Sequence, residues 1–169
     1  MRYLVVSDVH SNLEALQAVI RQADSLGGFD AIWSLGDIVG YGANPSACLD
    51  LLLSYPLAAV SGNHDLAAAG TVSMEDFSDY AKEAVLWTRW QLTPEHVKFL
   101  ESSPVQREEA NVTLLHGTPR DPVWEYFLPQ IMSTTDVADN FRRISTESCL
   151  VGHSHLPFRC TEKGAQFIV

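Results

Sequence analysis

The sequence predicts an α/β fold. Short β-rich apolar runs recur along the chain, and segments with helical periodicity lie between several of them. Five of these runs stop at a polar ending: Asp8/His10, Asp37, Asn63/His64/Asp65, His116 and His153/His155. The length of 169 residues, 46% of them hydrophobic, suits one domain spanning residues 1–169. A chain of that size removes about 70% of its unfolded surface from water.

Tyr3 to Val6 is the first run and reads as a buried strand. Asn12 to Leu26 reads as a helix, because Leu13, Leu16, Ile20 and Ala23 form one apolar stripe and Gly27-Gly28 supplies a stop. Ala31 to Leu35 is the second strand, followed by the flexible loop Gly40-Tyr41-Gly42. Asn44 as N-cap and Pro45 at the first position start a helix that runs to about Ser54. Leu57 to Val60 is the third strand and leads into Gly62-Asn63-His64-Asp65. Those four residues read as a tight turn, poor as helix and poor as core. Gly62 is expected there for its backbone freedom.

A helical cover is expected over about 73–103. Ser73 and Asp76 resemble a capping box, with Phe77, Tyr80, Ala84 and Trp87 following at helical spacing and the aromatics among them read as core. Thr93-Pro94-Glu95 starts another helix with Val97 and Leu100 inward. Val105 to Glu109 and Val112 to Leu115 flank Ala110-Asn111 as a hairpin. A proline-rich loop with Trp124 and Tyr126 leads to a short helix over Asp136 to Ile144. Cys149 to Val151 is the next strand, and Phe158 to Val169 reads as a hairpin turning near Lys163-Gly164.

The formal net charge is −10. An acidic surface argues against long nucleic acids and anionic membranes, which need basic patches. It leaves room for a small phosphate substrate where a local cation offsets the field. Three cysteines without a paired motif argue against a disulfide framework, and no run approaches a membrane-spanning length. The expected setting is soluble and cytoplasmic.

Five of the six histidines follow strands. In alternating β and α segments, ligands gather beyond the carboxyl ends of strands. Aspartate, asparagine and histidine without nearby cysteine suit manganese, iron or zinc better than a soft metal. The donors outnumber the needs of one tetrahedral ion and fit two ions sharing a carboxylate. Two ions about 3.5–4 Å apart can clamp a phosphoryl oxygen and ionise a bridging water.

Asp8-x-His10, Gly36-Asp37, Gly62-Asn63-His64-Asp65, His116-Gly117 and Gly152-His153-x-His155 resemble, in content and order, the motifs of calcineurin-like metallophosphoesterases. The match covers residues 4 to 155, and Asp8 to Leu13 with Gly40-Tyr41-Gly42 resembles that family's small bacterial branch. The resemblance implies a four-layer α/β/β/α sandwich of two mixed sheets. It implies that Asp8, His10 and His155 would bind one divalent ion, Asn63, His116 and His153 the other, and that Asp37 would bridge them. The ions would be two of Mn, Fe, Zn or Ni. His64, as imidazolium, would face the substrate, and Asp65 would orient it. Asn12, Tyr41 and Arg120 are the candidate substrate contacts.

The implied activity is hydrolysis of a small or exposed phosphoester, diester or monoester, by a metal-bridging hydroxide. Two other readings remain: a truncated or inactive scaffold that binds a protein partner, and a phosphoprotein phosphatase. The resemblance also implies strands beyond the last motif, whereas this sequence stops within the apolar run Gln166 to Val169. The expectation is an incomplete second sheet whose final strand pairs with another chain, or a truncated product.

Overall fold

The computed structural model describes residues 1–162 and 165–168. Its first sheet contains β1 (Tyr3–Val6), β2 (Ala31–Ser34) and β3 (Leu57–Ala59) in that order, all parallel. Parallel pairing needs crossovers, and α1 (Leu13–Ser25) and α2 (Pro45–Leu53) supply them. Asn12 caps α1 by accepting the Ala15 N–H at 3.0 Å. The stripe turns Leu16 and Ile20 inward onto Val6, Ile32, Leu49 and Leu52. The first strand is less covered than its composition suggests. It pairs only with β2 among the described residues, and Val5 is exposed.

The second sheet has the order β4-β5-β6-β8-β7, from β4 (Gln106–Glu109), β5 (Val112–Leu115), β6 (Ser148–Leu150), β7 (Arg159–Glu162) and β8 (Ala165–Ile168). It is mixed, with antiparallel β4·β5 and β7·β8 pairs and parallel β5·β6 and β6·β8 pairs. Ala110 and Asn111 both take left-handed φ, at 47° and 64°, which matches the strand twist of a tight hairpin. The last predicted hairpin is β7 and β8, while its turn at Lys163-Gly164 lies outside the described residues. The final strand is not the open edge that the sequence suggested. β8 lies between β6 and β7, so it does not call for a second chain.

Side-chain alternation builds the layers. Ile32 faces α1 and α2, while its neighbour Trp33 faces the second sheet with Leu35, Ala58 and Val60. There they meet Leu114, Val112 and Leu150. Leu115 and Cys149 face the other way, onto Phe127 and onto Phe141 of α6 (Thr134–Arg142). The result is the four-layer order of helices, sheet, sheet and helix.

Three helices fill the middle of the chain: α3 (Asn63–Ala69), α4 (Asp79–Gln91) and α5 (Pro94–Ser102). The sequence placed the start of α4 too early. Ser78 is its cap, accepting the Ala81 N–H at 3.2 Å, whereas Ser73 accepts only the nearby Glu75 N–H. The periodicity counted from Phe77 therefore does not continue into the helix. Ala81, Val85 and Thr88 form its buried stripe, and Tyr80 and Trp87 point outward. His96, the histidine outside the strand endings, has a structural role. It is buried in α5 and its Nε2 lies 2.9 Å from Asp50 Oδ1 on α2.

Gly62-Asn63-His64-Asp65 is not a free turn. It is the N-cap and first turn of α3, and Asn63, His64 and Asp65 are all buried. Gly62 has φ −92° and ψ 175°, extended backbone open to any residue. Space is what it supplies: a Cβ there would sit 2.0 Å from Asp37 Oδ1 and 2.6 Å from Asp37 N.

Candidate metal centre

The five strand endings converge. Backbone hydrogen bonds tie the first two loops together, from Asp8 N to Gly36 O at 3.1 Å and from His10 N to Asp37 O at 2.9 Å. The His153 N–H reaches Asp8 Oδ2 at 3.0 Å, and the Gly152 N–H reaches His116 O at 2.8 Å, which adds the last two loops. Asp37 Oδ1 accepts the His64 N–H at 2.9 Å, which anchors α3 to the same place. Seven non-glycine residues in these loops hold left-handed backbone: Asp8, His10, Ser11, Asp37, Tyr41, His153 and His155.

The donors cluster around Asp37. Its Oδ2 lies 3.3 Å from His116 Nε2 and 3.7 Å from His10 Nε2. His155 Nε2 lies 3.2 Å from Asp8 Oδ1 and 3.3 Å from His10 Nε2. His116 Nε2 lies 3.1 Å from His153 Nδ1. Three donor sets have every ligand atom within 4.8 Å of the others: Asp8/His10/His155, Asp37/His116/His153 and His10/Asp37/His64. The first set contains the three residues that the resemblance implies for one ion, and the second joins Asp37 to His116 and His153 without Asn63. The third adds His64, which the resemblance leaves out of the ligands.

Main-chain carbonyls orient three of the rings. His10 Nδ1 faces Val39 O at 3.2 Å, His116 Nδ1 faces Leu35 O at 2.9 Å, and His153 Nε2 faces Trp124 O at 3.2 Å. A carbonyl only accepts, so those nitrogens carry hydrogen. Once a ring is neutral, its opposite nitrogen aims a lone pair at the cluster, the arrangement that metal-ligating histidines adopt. Ser7 similarly donates its hydroxyl to Asp8 Oδ2 at 2.6 Å. Side-chain motifs carry no trace of these carbonyls, whereas Ser7 sits beside Asp8 and was open to notice.

The donor set fits divalent ions. Asn63 Oδ1 is buried without a hydrogen-bond partner, and buried Asp8 Oδ1 has only the His155 ring nitrogen within hydrogen-bond distance, at 3.2 Å. A buried oxygen left unsatisfied is costly unless something coordinates it. Asp37 is buried, which alone would raise its pKa, but His116, His64 and His10 together hold it well below the carboxylate range. Burial disfavours a charged His116 ring, yet Asp37 and Asp8 outweigh that and push it up to about 9. A dense alternation of carboxylates and imidazoles of this kind exchanges protons for cations readily.

His64 and Asp65 depart from their expected partnership. Asp65 Oδ1 accepts the Val39 N–H at 3.1 Å and Oδ2 accepts the Gly62 N–H at 3.2 Å. His64 Nδ1 is buried without a partner. Adjacent residues on a helix do not face each other, so starting α3 at Asn63 separates the two side chains. Burial pushes His64 down to about 4, so the ring is neutral rather than imidazolium at neutral pH. Burial, reinforced by Asp37, raises Asp65 to about 7.

A cavity of about 530 Å³ opens over the cluster, lined among others by His10, Asp37, Asn63, His64, His153 and His155. Tyr41, Phe77, Trp124 and Tyr126 form its aromatic side. Tyr126 stacks on His153 at 4.0 Å, and Phe77 meets His64 edge-on at 5.0 Å. Asp8 and His116 are in the cluster but not in the cavity wall. Phe77 was read as core and is also site wall. Two substrate candidates lie elsewhere: Asn12 is occupied as the α1 cap, and Arg120 pairs with Glu125 and with Asp136 at 2.8 Å. Among the described residues no arginine or lysine lines the cavity.

Known proteins resemble this chain in sequence and in fold. A curated but uncharacterized protein of Methanocaldococcus jannaschii is 41% identical over 165 residues, covering 95% of this chain and 65% of its own length. The crystal structure of a metallophosphoesterase from Sphaerobacter thermophilus matches with a TM-score of 0.82 at 38% identity, over 99% of this chain and 75% of that one. A symmetrical bis(5′-nucleosyl)-tetraphosphatase of Glaesserella parasuis is 32% identical over 74 residues, 43% of this chain and 27% of its own. This chain thus spans just under two thirds of the archaeal relative. The profile of the calcineurin-like phosphoesterase superfamily domain matches residues 1–169, and the chain belongs to that superfamily.

Proposed function

We propose that this single domain is a phosphoester hydrolase that works with two divalent ions. The observation that carries the reading is the convergence of donors from five loops on Asp37, with two buried oxygens left for a cation. Asp8, His10 and His155 would hold one ion and Asn63, His116 and His153 the other, with Asp37 between them. When bound, such ions polarise a phosphoryl oxygen and lower the pKa of water towards neutrality.

The chain's own residues supply the rest. His64 faces the cavity from the first turn of α3, and its amide is held by Asp37. Its ring is neutral at rest. An arriving phosphate places negative charge beside it, which favours the protonated form. His64 then hydrogen-bonds the phosphoryl group or gives its proton to the leaving oxygen. Tyr41, Phe77, Trp124 and Tyr126 limit water at the rim. Asp65 fixes the α3 turn through the Val39 and Gly62 amides and does not line the cavity.

Among the described residues no helix is long and apolar enough to cross a membrane. With three cysteines and no paired motif, the composition supports a cytoplasmic setting. The deciding experiment is hydrolysis of bis(p-nitrophenyl) phosphate and p-nitrophenyl phosphate after loading with Mn, Fe, Zn or Ni, with Asp37→Ala as control. Turnover that depends on metal and on Asp37 is expected. No turnover of either ester by protein with measured bound metal overturns the reading.

A further inference from the structure

The cavity has a cluster of candidate metal ligands and, beside it, an aromatic wall. Tyr41 joins them. Its ring centroid is 4.5 Å from that of His64 and 4.9 Å from that of His10. Its other neighbour is Tyr80, whose ring stacks at 5.8 Å with only 17° between planes. Tyr41 stands on a loop with φ 54°, and the following Gly42 has no room for a Cβ, which would lie 2.4 Å from His10 O. The ring is therefore placed by tightly packed backbone. Tyr80 projects from the first turn of α4, between Phe77 and Ser78, which line the cavity, and Ala81, which also does. Yet Tyr80 is 70% exposed and Tyr41 42% exposed. Two nearly parallel rings thus lead outward from the histidines with their surface largely uncovered.

The charges around them restrict what can bind. Beyond the donor cluster, the lining contains Asp76 and, among the described residues, no arginine or lysine. A ligand with a chain of phosphoryl groups has one place for the first and meets Asp76 with the rest. A ligand with one phosphoryl group and a flat ring uses both ends of the cavity. We propose that the substrate is a nucleoside phosphoester with a single phosphoryl group, its base stacked on the Tyr41–Tyr80 pair. This rests on the reading of the site as a phosphoester hydrolase. In the reaction, water forms one new P–O bond and the ester P–O bond breaks. One proton of the water goes to the leaving oxygen and the other to the phosphate or solvent. Stacking on aromatic rings accepts any base, since every base has a π-face.

The test uses two pairs of substrates with the zinc-loaded full chain. Thymidine 5′-(p-nitrophenyl phosphate) is compared with methyl p-nitrophenyl phosphate, and adenosine 5′-monophosphate with methyl phosphate. The nucleoside member of at least one pair is expected to have about tenfold higher kcat/KM, within the range that stacking supplies. Tyr80→Ala removes that preference. Trp90→Ala, which removes an even more exposed ring further along α4, keeps it. A second readout is saturation-transfer NMR, in which the base protons of adenosine 5′-monophosphate receive saturation from the wild-type chain and lose it with Tyr80→Ala. Cleavage without nucleoside preference overturns this inference alone. So does a higher kcat/KM for diadenosine tetraphosphate. No cleavage of any ester by metal-loaded protein overturns the hydrolase reading and this inference with it.

Discussion

The Asp65 carboxylate accepts the backbone N–H of Val39 at 3.1 Å, although Val39 lies on a different loop 26 residues earlier. Its second oxygen accepts the Gly62 N–H. Both amides are buried, so Asp65 joins the β2–α2 loop to the start of α3. Asp65→Ala leaves two buried donors unsatisfied, at about 1–3 kcal/mol for such a loss. Thermal melting is expected to show a clear drop for the metal-free variant. Unchanged melting with an altered pH–rate profile would return Asp65 to the role of orienting His64.

Asp37 belongs to two of the three donor sets, whereas Asp8 belongs to one. Asp37→Ala should therefore disturb both ion positions and Asp8→Ala mainly one. Metal analysis after dialysis is expected to give much less than one ion per chain for the first and about one for the second. Equal stoichiometry in both variants contradicts a shared carboxylate.

His64→Ala should separate binding from chemistry. The ring touches the cavity, and its removal leaves the other seven donors in place. General acid catalysis contributes roughly 10²–10⁴-fold, so kcat should fall within that range while metal content stays the same. Loss of an ion in this variant would instead place His64 among the ligands, as its proximity to His10 and Asp37 permits.

In the chelated protein, His116 provides a pH signature. Its folded pKa is raised to about 9 from an ordinary 6.5. A raised imidazole stabilises the fold fully below 6.5 and loses that contribution as pH rises through 9. Melting temperature should decline over that interval and decline less in His116→Gln. Metal must displace the same proton, so zinc binding near pH 8 should release protons, measurable by calorimetry in buffers of different ionisation enthalpy.

Gly62→Ala is expected to be more harmful than its ordinary backbone angles suggest. The added methyl meets Asp37 Oδ1 and the Asp37 amide, so either Asp37 or α3 must shift. Overpacking of this kind costs about 1–3 kcal/mol. Reduced metal affinity together with a lower melting temperature is the expected pair of results.

Much of the site was legible because its side chains follow strands whose apolar runs are easy to see. Asp8, His10, Asp37, Asn63, His116, His153 and His155 all come from such endings, and the structure collects them. What stayed hidden depends on local geometry. The difference between a turn and a helix at Asn63 decides where Asp65 points, and four residues of polar sequence do not distinguish the two. Arg120 looked available because its partners, Glu125 and Asp136, are joined to it only by the fold of the proline-rich loop. Tyr80 and Trp87 looked buried because their spacing suits a helix, but the phase of that helix is set by its cap at Ser78. Carbonyl groups such as Leu35 O leave no mark on sequence at all.

The left-handed backbone of Asp8, His10, Ser11, Asp37, Tyr41, His153 and His155 has a consequence for how this chain changes under selection. Such conformations in residues other than glycine cost of order 1–3 kcal/mol each. Glycine would relieve that cost at every one of the seven, and asparagine at several. A library sorted only for folded, soluble protein should therefore drift towards those residues at these positions. A library sorted for turnover should hold them. The positions where the two outcomes diverge would trace the site without any structure.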